Sequence, residues 1–275
     1  MNSKFNLIKN TYSAMDYFDF IKSIRSKENI TNSVFTLNSL DEVIINNNGK
    51  IFLGQHAAIV LCKDINNIFR LTFYLQDQSA AKEILDLLPK LKANIICDLI
   101  GKRNILEKQK EILESIGFEL YAVFQRMICR EIIVDDSIDL NGVELATEND
   151  VDEILEITYE SFDPLTARMH SAKEITDFIK NKEVFVVRIK KKIAGFALFN
   201  SKDKKVALLD HIIVREEYRH KQIGSKLLYY KWKYNNKSNV YYLWVNEMCK
   251  VPIKHHEKHG FKNDGIYDYI FLLHK

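Results

Sequence analysis

The stretch IIVREEYRHKQIGSKLL, residues 212–228, changes character twice. Ile212, Ile213 and Val214 end an apolar, β-branched run, VALLDHIIV, that reads as a buried strand. Residues 215–222 are polar and largely basic. Ile223, Leu227 and Leu228 then return at helical spacing. A helix beginning near Lys221 or Gln222 leaves its first N–H groups without intrahelical partners, pointing back toward the strand. The helix dipole adds to their attraction for an anion. Arg219 and Lys221 add charge, and Gly224 removes a side chain where a ligand would approach closely. The junction lacks the Gly-Lys-Ser/Thr of a Walker loop and the Gly-x-Gly-x-x-Gly of a dinucleotide turn. It suits a phosphate or pyrophosphate. A solvated, charged helix start is the alternative reading.

The surrounding chain has 275 residues, of which 47% are hydrophobic and 28% charged, with a formal net charge of +3. That is enough apolar material for one large or two small domains. So small a positive excess argues against a nucleic-acid binder. Cys62, Cys97, Cys129 and Cys249 are too scattered for a metal knuckle and point to a reducing compartment. MNSKFNLIKN has no apolar run of signal-peptide kind behind it. No stretch approaches the roughly 20 apolar residues of a membrane helix. A cytoplasmic protein without a membrane partner is expected.

The rest of the chain reads as two halves. In the first, SAMDYFDFIKSIR is a helix with a Ser13–Asp16 capping box. SVFTL, EVIIN, HAAIVLC and IFRLTFYL are strand candidates. SAAKEILDLLPKLK is a helix capped by Ser79 and ended or disrupted at Pro89. Strand NIICDLI, helix ILEKQKEILESIGF and strand LYAVFQRMI follow. The second half begins near Gly142. It carries a helix opening between Thr147 and Asp150, then one capped by Ser171 and Glu174. The hairpin of VFVVRI and IAGFALF turns at three lysines. Strand VALLDHIIV, the helix after the basic loop, strand NVYYLWV, a short helix and strand YDYIFLL complete it. Each half closes its last helix with Gly-Phe, at Gly117-Phe118 and Gly260-Phe261, as an αL cap with an apolar residue folding back. This points to an internal duplication, with domains at 1–135 and 136–275 and a boundary in CREIIVDDSIDLNG. Only the second half carries the basic loop. The first passes from RLTFYL through QDQS directly into its helix.

The second half, from about residue 140 to 275, resembles the GCN5-related N-acetyltransferase (GNAT) superfamily. Its signature, Arg/Gln-x-x-Gly-x-Gly/Ala, stands here as Arg219 to Gly224, with Gln222 in the place of the middle glycine. A later element, Tyr-x-Lys-x-Gly-Phe, stands as HEKHGF, with His256 where tyrosine is usual. Cys249 stands where an asparagine is frequent. The resemblance implies an α/β fold of tandem GNAT-like domains, each a mixed, mostly antiparallel twisted sheet flanked by helices. The first would be a degenerate copy lacking the pyrophosphate loop.

The resemblance further implies that the cofactor is acetyl-CoA or another acyl-CoA, and that no metal is required. Backbone groups of Ile212, Ile213 and Val214 would pair with the pantetheine arm, and the N–H near Val214 would polarise the thioester carbonyl. Arg219, His220, Lys221, Gln222, Ile223, Gly224 and Ser225 would hold the pyrophosphate. The acceptor would be a small-molecule or peptide amine attacking directly in a ternary complex. Strand alternation puts Asp210 on the face of Leu208, Ile212 and Val214, and His211 on the other. Asp210 would bind the ammonium or relay its proton. Its alternative is a structural carboxylate, and that of His211 a packed or positioning role. His256 would take the part of the tyrosine, with His255 and His259 as rivals. The region FDPLTARMH, residues 162–170, would meet the acceptor. Two other functions stay open: a catalytically inactive CoA-binding or regulatory module on the same fold, and a transferase using aminoacyl-tRNA.

Overall fold

Ser13 begins the first element of this computed structural model, which describes residues 11–274 except 47, 65, 66, 91, 132, 134, 204 and 235–237. The signal-peptide reading of residues 1–10 and part of the expected domain boundary lie outside those residues. Helix α1 (Ala14–Ser23) opens on the expected capping box and buries Ala14 and Tyr17. After β1 (Ile30–Thr31), residues 33–36 of SVFTL form no strand, and α2 (Leu37–Ile45) takes in EVIIN, both of which were expected to be strands. Thr36 and Ser39 form a second capping box, and Leu37, Leu40 and Ile44 fall on one helical stripe. The cap and that spacing outweigh the β propensity of Val43, Ile44 and Ile45.

Strands β2 (Gly49–Leu53), β3 (Ala57–Lys63) and β4 (Ile68–Leu75) follow as antiparallel neighbours. A 3₁₀ turn, Gln78–Lys82, leads into α3 (Glu83–Leu87), which stops ahead of Pro89. The cap of the 3₁₀ turn is Asp77, whose carboxylate accepts the Ser79 N–H at 2.8 Å, and α3 itself has no side-chain cap where Ser79 was expected to supply one. Next come β5 (Asn94–Lys102), α4 (Arg103–Ser115) and β6 (Glu119–Cys129).

The second series is β7 (Val143–Leu145), α5 (Val151–Ser161), α6 (Ala172–Lys180), β8 (Val184–Ile189), β9 (Lys192–Asp203) and β10 (Val206–Val214). It ends with α7 (Ile223–Tyr234), β11 (Val240–Asn246), α8 (Lys250–Lys258) and β12 (Lys262–His274). Both Gly-Phe closures take the expected form. Gly117 and Gly260 have φ of 90° and 92°. Phe118 N–H donates back to Leu113 O, and Phe261 N–H to His256 O, each at 3.1 Å. A side chain at either glycine would be strained in that region.

The chain divides into two compact units, Met1–Phe124 with Ile266–Lys275, and Gln125–Gly265. This differs from the halves expected at 1–135 and 136–275. The last strand crosses over: from Ile266 to His274 it pairs antiparallel with β5, residue by residue. Tyr269 and Phe271 are buried in the first unit's core with Phe73, Leu99, Leu106 and Phe118. The sheet order in that unit is β2-β3-β4-β5-β12, with β4 and β5 parallel.

In the second unit the order is β11-β10-β9-β8-β7, with β10 and β11 the parallel pair. One face of this sheet packs on Leu227, Leu228 and Trp232 of α7. The other packs on Ile154 and Ile157 of α5 and Ile175 and Ile179 of α6. Each sheet is thus mixed, mostly antiparallel and flanked by helices. Among the described residues no helix is long and apolar enough to cross a membrane.

Candidate active site

Strands β10 and β11 begin side by side, Val206 opposite Val240, Ala207 opposite Tyr241 and Leu208 opposite Tyr242. No further pair joins them, whereas β9 stays registered with β10 as far as Val214 opposite Gly195. Among the described residues no strand pairs with the β11-side edge of β10 beyond Leu208. The two parallel strands part there, leaving backbone groups of Leu209 to Val214 along a cleft. On the closed side the fit is tight, since a Cβ on Gly195 would fall 2.7 Å from Ile213 O.

The expected anion cradle sits at the end of that cleft. Helix α7 makes its first bond from Lys226 N–H to Gln222 O at 2.9 Å. None of the N–H groups of residues 220–225 has an acceptor among the described residues. His220 and Gln222 adopt φ of 64° and 58°. Backbone in the left-handed region turns successive N–H groups toward one point, as in an anion nest. It also explains why a glycine would be at home at position 222. The side chains of Arg219, His220, Lys221 and Gln222 are exposed. Those of Ile223 and Ser225 are buried, and Ser225 spends its hydroxyl on His259 Nε2 at 2.9 Å. They could serve a ligand only through their backbone. Arg215, just upstream, is occupied with Ile193 O, Glu153 and Glu160.

Asp210 stands where the strands part, and its surroundings differ from strict alternation. The β9–β10 register runs from Leu209 opposite Phe199 to His211 opposite Leu198, so Asp210 is the extra residue of a β-bulge. A bulge puts two successive side chains toward one face. Leu209 and Ile212 accordingly both pack on the α7 side, while Ile213 joins the α5–α6 core. The expectation that His211 faces away from Asp210 is corrected. Polar atoms of His170, Asp210 and His211 lie within 4.8 Å of one another.

His170, at the end of the 162–170 loop and just before the Ser171 cap, is hydrogen-bonded through Nε2 to Asp210 Oδ2 at 2.9 Å. Its ring meets that of His211 edge-on at 5.3 Å, and Phe162 covers His211 at 4.8 Å. His170 and His211 are 3% and 4% exposed, whereas the Asp210 side chain keeps 15%. Nδ1 of each histidine is buried without a hydrogen bond, that of His170 lying 3.9 Å from Glu174 Oε1. Burial raises the Asp210 carboxyl, but the His170 hydrogen bond and the nearby imidazoles and Arg168 outweigh it and hold it below its ordinary value. Burial presses His211 down to about 4 despite the attraction of Asp210. Tyr242 on β11 lies close enough for the Asp210 charge to raise its phenol further, after burial has done most of the work. Two imidazoles and a carboxylate are a donor set that metals use. Here the His170–Asp210 hydrogen bond would have to break for both to bind one ion.

His256, the expected stand-in for tyrosine, is 5% exposed and packs edge-on against Phe261. Its pKa is pushed to about 3 by burial and by His255 and His259. A ring so enclosed is poorly placed to meet a cofactor. The ring that reaches the α7 mouth is its neighbour. A Cβ at Gly224 would fall 3.2 Å from His255 Nε2, so the missing side chain of Gly224 admits His255. His259 is fully buried between Ser225 and Tyr229. Arg168 is 68% exposed and pairs with Glu174.

The structure brings the expected strand edge, the basic loop and Asp210 to one cleft; sequence reading had included His170 only as the end of the 162–170 region and had not given His255 precedence. The local signals for His170 were its place in the 162–170 region and directly before the Ser171 capping box.

Comparison with known proteins bears on the fold. The family model described as acetyltransferase (GNAT) domain matches residues 180–263, which hold β10, the cradle and α8. No curated protein matches the sequence. Among solved structures, a GCN5-related N-acetyltransferase from Kribbella flavida is similar at 10% identity and TM-score 0.56, over 84% of this chain and 91% of that one. One from Sphaerobacter thermophilus gives 14% and 0.54, over 95% and 91%. A tandem GNAT protein from the clavulanic acid biosynthesis pathway gives 10% and 0.50, over 79% and 78%. At such identities the likeness speaks for architecture. The chain has the GNAT-superfamily fold over most of its length, in an arrangement consistent with tandem GNAT-like domains.

Proposed function

We propose that the second unit is an acyl-CoA-dependent N-acyltransferase acting on a primary amine. The observation that carries this reading is an unpaired strand edge leading into a cradle of unpartnered N–H groups, with a buried carboxylate–imidazole pair where the edge begins. The residues fit acyl-CoA. N–H groups of residues 220–225, with Arg219 and Lys221, would hold the pyrophosphate. The edge at Ile212, Ile213 and Val214 would take the pantetheine amides as an added strand. Bound there, the cofactor supplies an acyl group activated as a thioester.

The protein's own part is binding, orientation and proton handling. Asp210 keeps one oxygen engaged by His170 and offers the other to an ammonium. The Asp210–His170 pair takes up the proton that the amine loses. His211 begins neutral at pH 7 and walls the pair from water with Phe162. A backbone N–H of β10 on the unpaired edge, expected near Val214, would meet the negative charge that develops on the attacked carbonyl. His255, whose pKa burial and Lys258 lower, stands at the α7 mouth beside the pyrophosphate seat, and the departing thiolate takes the second proton that the attacking nitrogen releases.

A non-catalytic CoA-binding module is the second reading, favoured by the enclosure of His256. Calorimetric titration with acetyl-CoA, free CoA and longer acyl-CoAs tests both. Binding of at least one is expected, and binding of none ends the acyl-CoA reading. An amine-acceptor screen with the bound thioester then separates enzyme from module. We also place the protein in the cytoplasm, where acyl-CoA and four free thiols are both at home.

A further inference from the structure

The first unit repeats the parting of parallel strands. β4 and β5 pair at Ile68–Asn94, Phe69–Ile95 and Arg70–Ile96 and then no further. In the second unit the equivalent edge is unpaired. Here it is taken. β3 holds one side of β4 all the way to Leu75, so β1, paired at Ile30–Leu75 and Thr31–Tyr74, lies on the side that β5 has left.

The side chains of this segment reinforce the pairing. Asn32 Nδ2 donates to Leu71 O on β4 and to Asp98 O on β5, both at 3.0 Å, and so spans the two parted strands. Its Oδ1 accepts the Phe73 N–H at 2.7 Å. Thr31 Oγ1 donates to Phe73 O at 2.6 Å, and Asn29 Nδ2 to Leu75 O and Gln76 O at 3.2 and 3.0 Å. Amides and a hydroxyl on an extended backbone are also what a pantetheine arm presents.

The cradle end is answered too. Where the second unit has bare N–H groups, the turn after β4 has the Asp77 carboxylate accepting the Ser79 N–H and hydroxyl at 2.8 and 2.6 Å. The neighbouring cavity of about 720 Å³ is lined by Glu28 and Asp77, which would repel a phosphate, beside the single cation Lys82.

We infer that the first unit is self-liganded: residues 29–32 occupy its cofactor groove as a built-in pantetheine substitute, the Asp77 carboxylate holds the anion seat, and the chain therefore takes up one acyl-CoA, not two. This rests on the acyl-CoA reading of the second unit for what the groove would otherwise hold. The self-pairing itself stands on the first unit alone.

Hydrogen–deuterium exchange on the full chain, with and without acetyl-CoA, together with calorimetric stoichiometry, tests it. Peptides covering 71–76 should exchange at least about tenfold more slowly than those covering 209–215 in the free protein, and acetyl-CoA should slow only the latter. Stoichiometry should be one. Fast exchange at 71–76 in the free protein, slowing there on adding acetyl-CoA, or a stoichiometry of two overturns the inference. If no acetyl-CoA binds, the reading of the second unit falls, while slow exchange at 71–76 in the free protein still supports the plugged groove. Asn32→Ala should speed exchange at 71–76 by about tenfold or more, and unchanged exchange would overturn the bridging role.

Discussion

His211 and His259 are both buried, and both have a pKa pressed down to about 4 chiefly by burial. Their neighbourhoods are opposite. His259 has a hydroxyl at each ring nitrogen, Ser225 at Nε2 and Tyr229 at Nδ1, both at 2.9 Å, and faces no cleft. His211 leaves Nδ1 without a partner and sits with His170 and Asp210 where β10 and β11 part. A depressed pKa therefore does not tell a structural histidine from one at a site. Unsatisfied polar atoms beside an unpaired strand edge do, because a folded core seldom leaves them so without a use.

The largest effect that would break this contrast is on turnover. Asp210→Asn should lower kcat by about 10²–10⁴-fold, the range for losing a positioned proton acceptor, with acetyl-CoA affinity held within a few-fold. Steady-state kinetics beside calorimetry reads both, and an unchanged kcat would return Asp210 to a structural role. His259→Ala should do the reverse. It strands two hydroxyls and opens a cavity, so denaturant unfolding should show a loss of about 2–4 kcal/mol, with kcat of the folded fraction largely kept.

The pH dependence of stability sharpens the comparison because both groups contribute with the same sign. His211, His256 and His259 have folded values of about 4, 3 and 4 against an ordinary 6.5. The unfolded chain then binds more protons below about pH 6.5, so stability should fall as pH drops from there toward 3–4. Asp210, also lowered, adds a further loss below its ordinary 3.8. Thermal melts from pH 8 to 4 should show the decline, and replacing His259 should flatten it. The smallest effect is at the cradle. Gln222→Gly relieves a left-handed φ of 58°. It should leave acetyl-CoA binding within about two-fold and change stability by no more than about 1 kcal/mol, since relieved strain offsets glycine's greater chain entropy.

Local chemistry explains which parts could be read beforehand. The strand–loop–helix around Gly224, the Ser13 and Ser171 caps and the two Gly-Phe closures depend on residues within one turn of each other, and each appears where its pattern lies. EVIIN misled because β-branched residues suit a strand until the Thr36 cap is weighed. The rest is long-range. The bulge at Asp210 arises from its register against β9, and His170 meets Asp210 forty positions away in the chain. The three histidines of KHHEKH drew notice by being adjacent. Yet His255 and His259, four positions apart, share the face toward the start of α7 while His256 packs on Phe261, and of the two it is His255 that meets Gly224.

The passage of β12 into the first unit has a consequence for synthesis. β5 is translated some 160 residues before the segment from Ile266 to His274 that covers its edge. At ordinary rates of about 5–20 residues per second, the ribosome exposes that apolar edge for on the order of ten seconds or more. The amino-terminal unit, though made first, is the last to be finished, and a chaperone that shields bare sheet edges would find its client there.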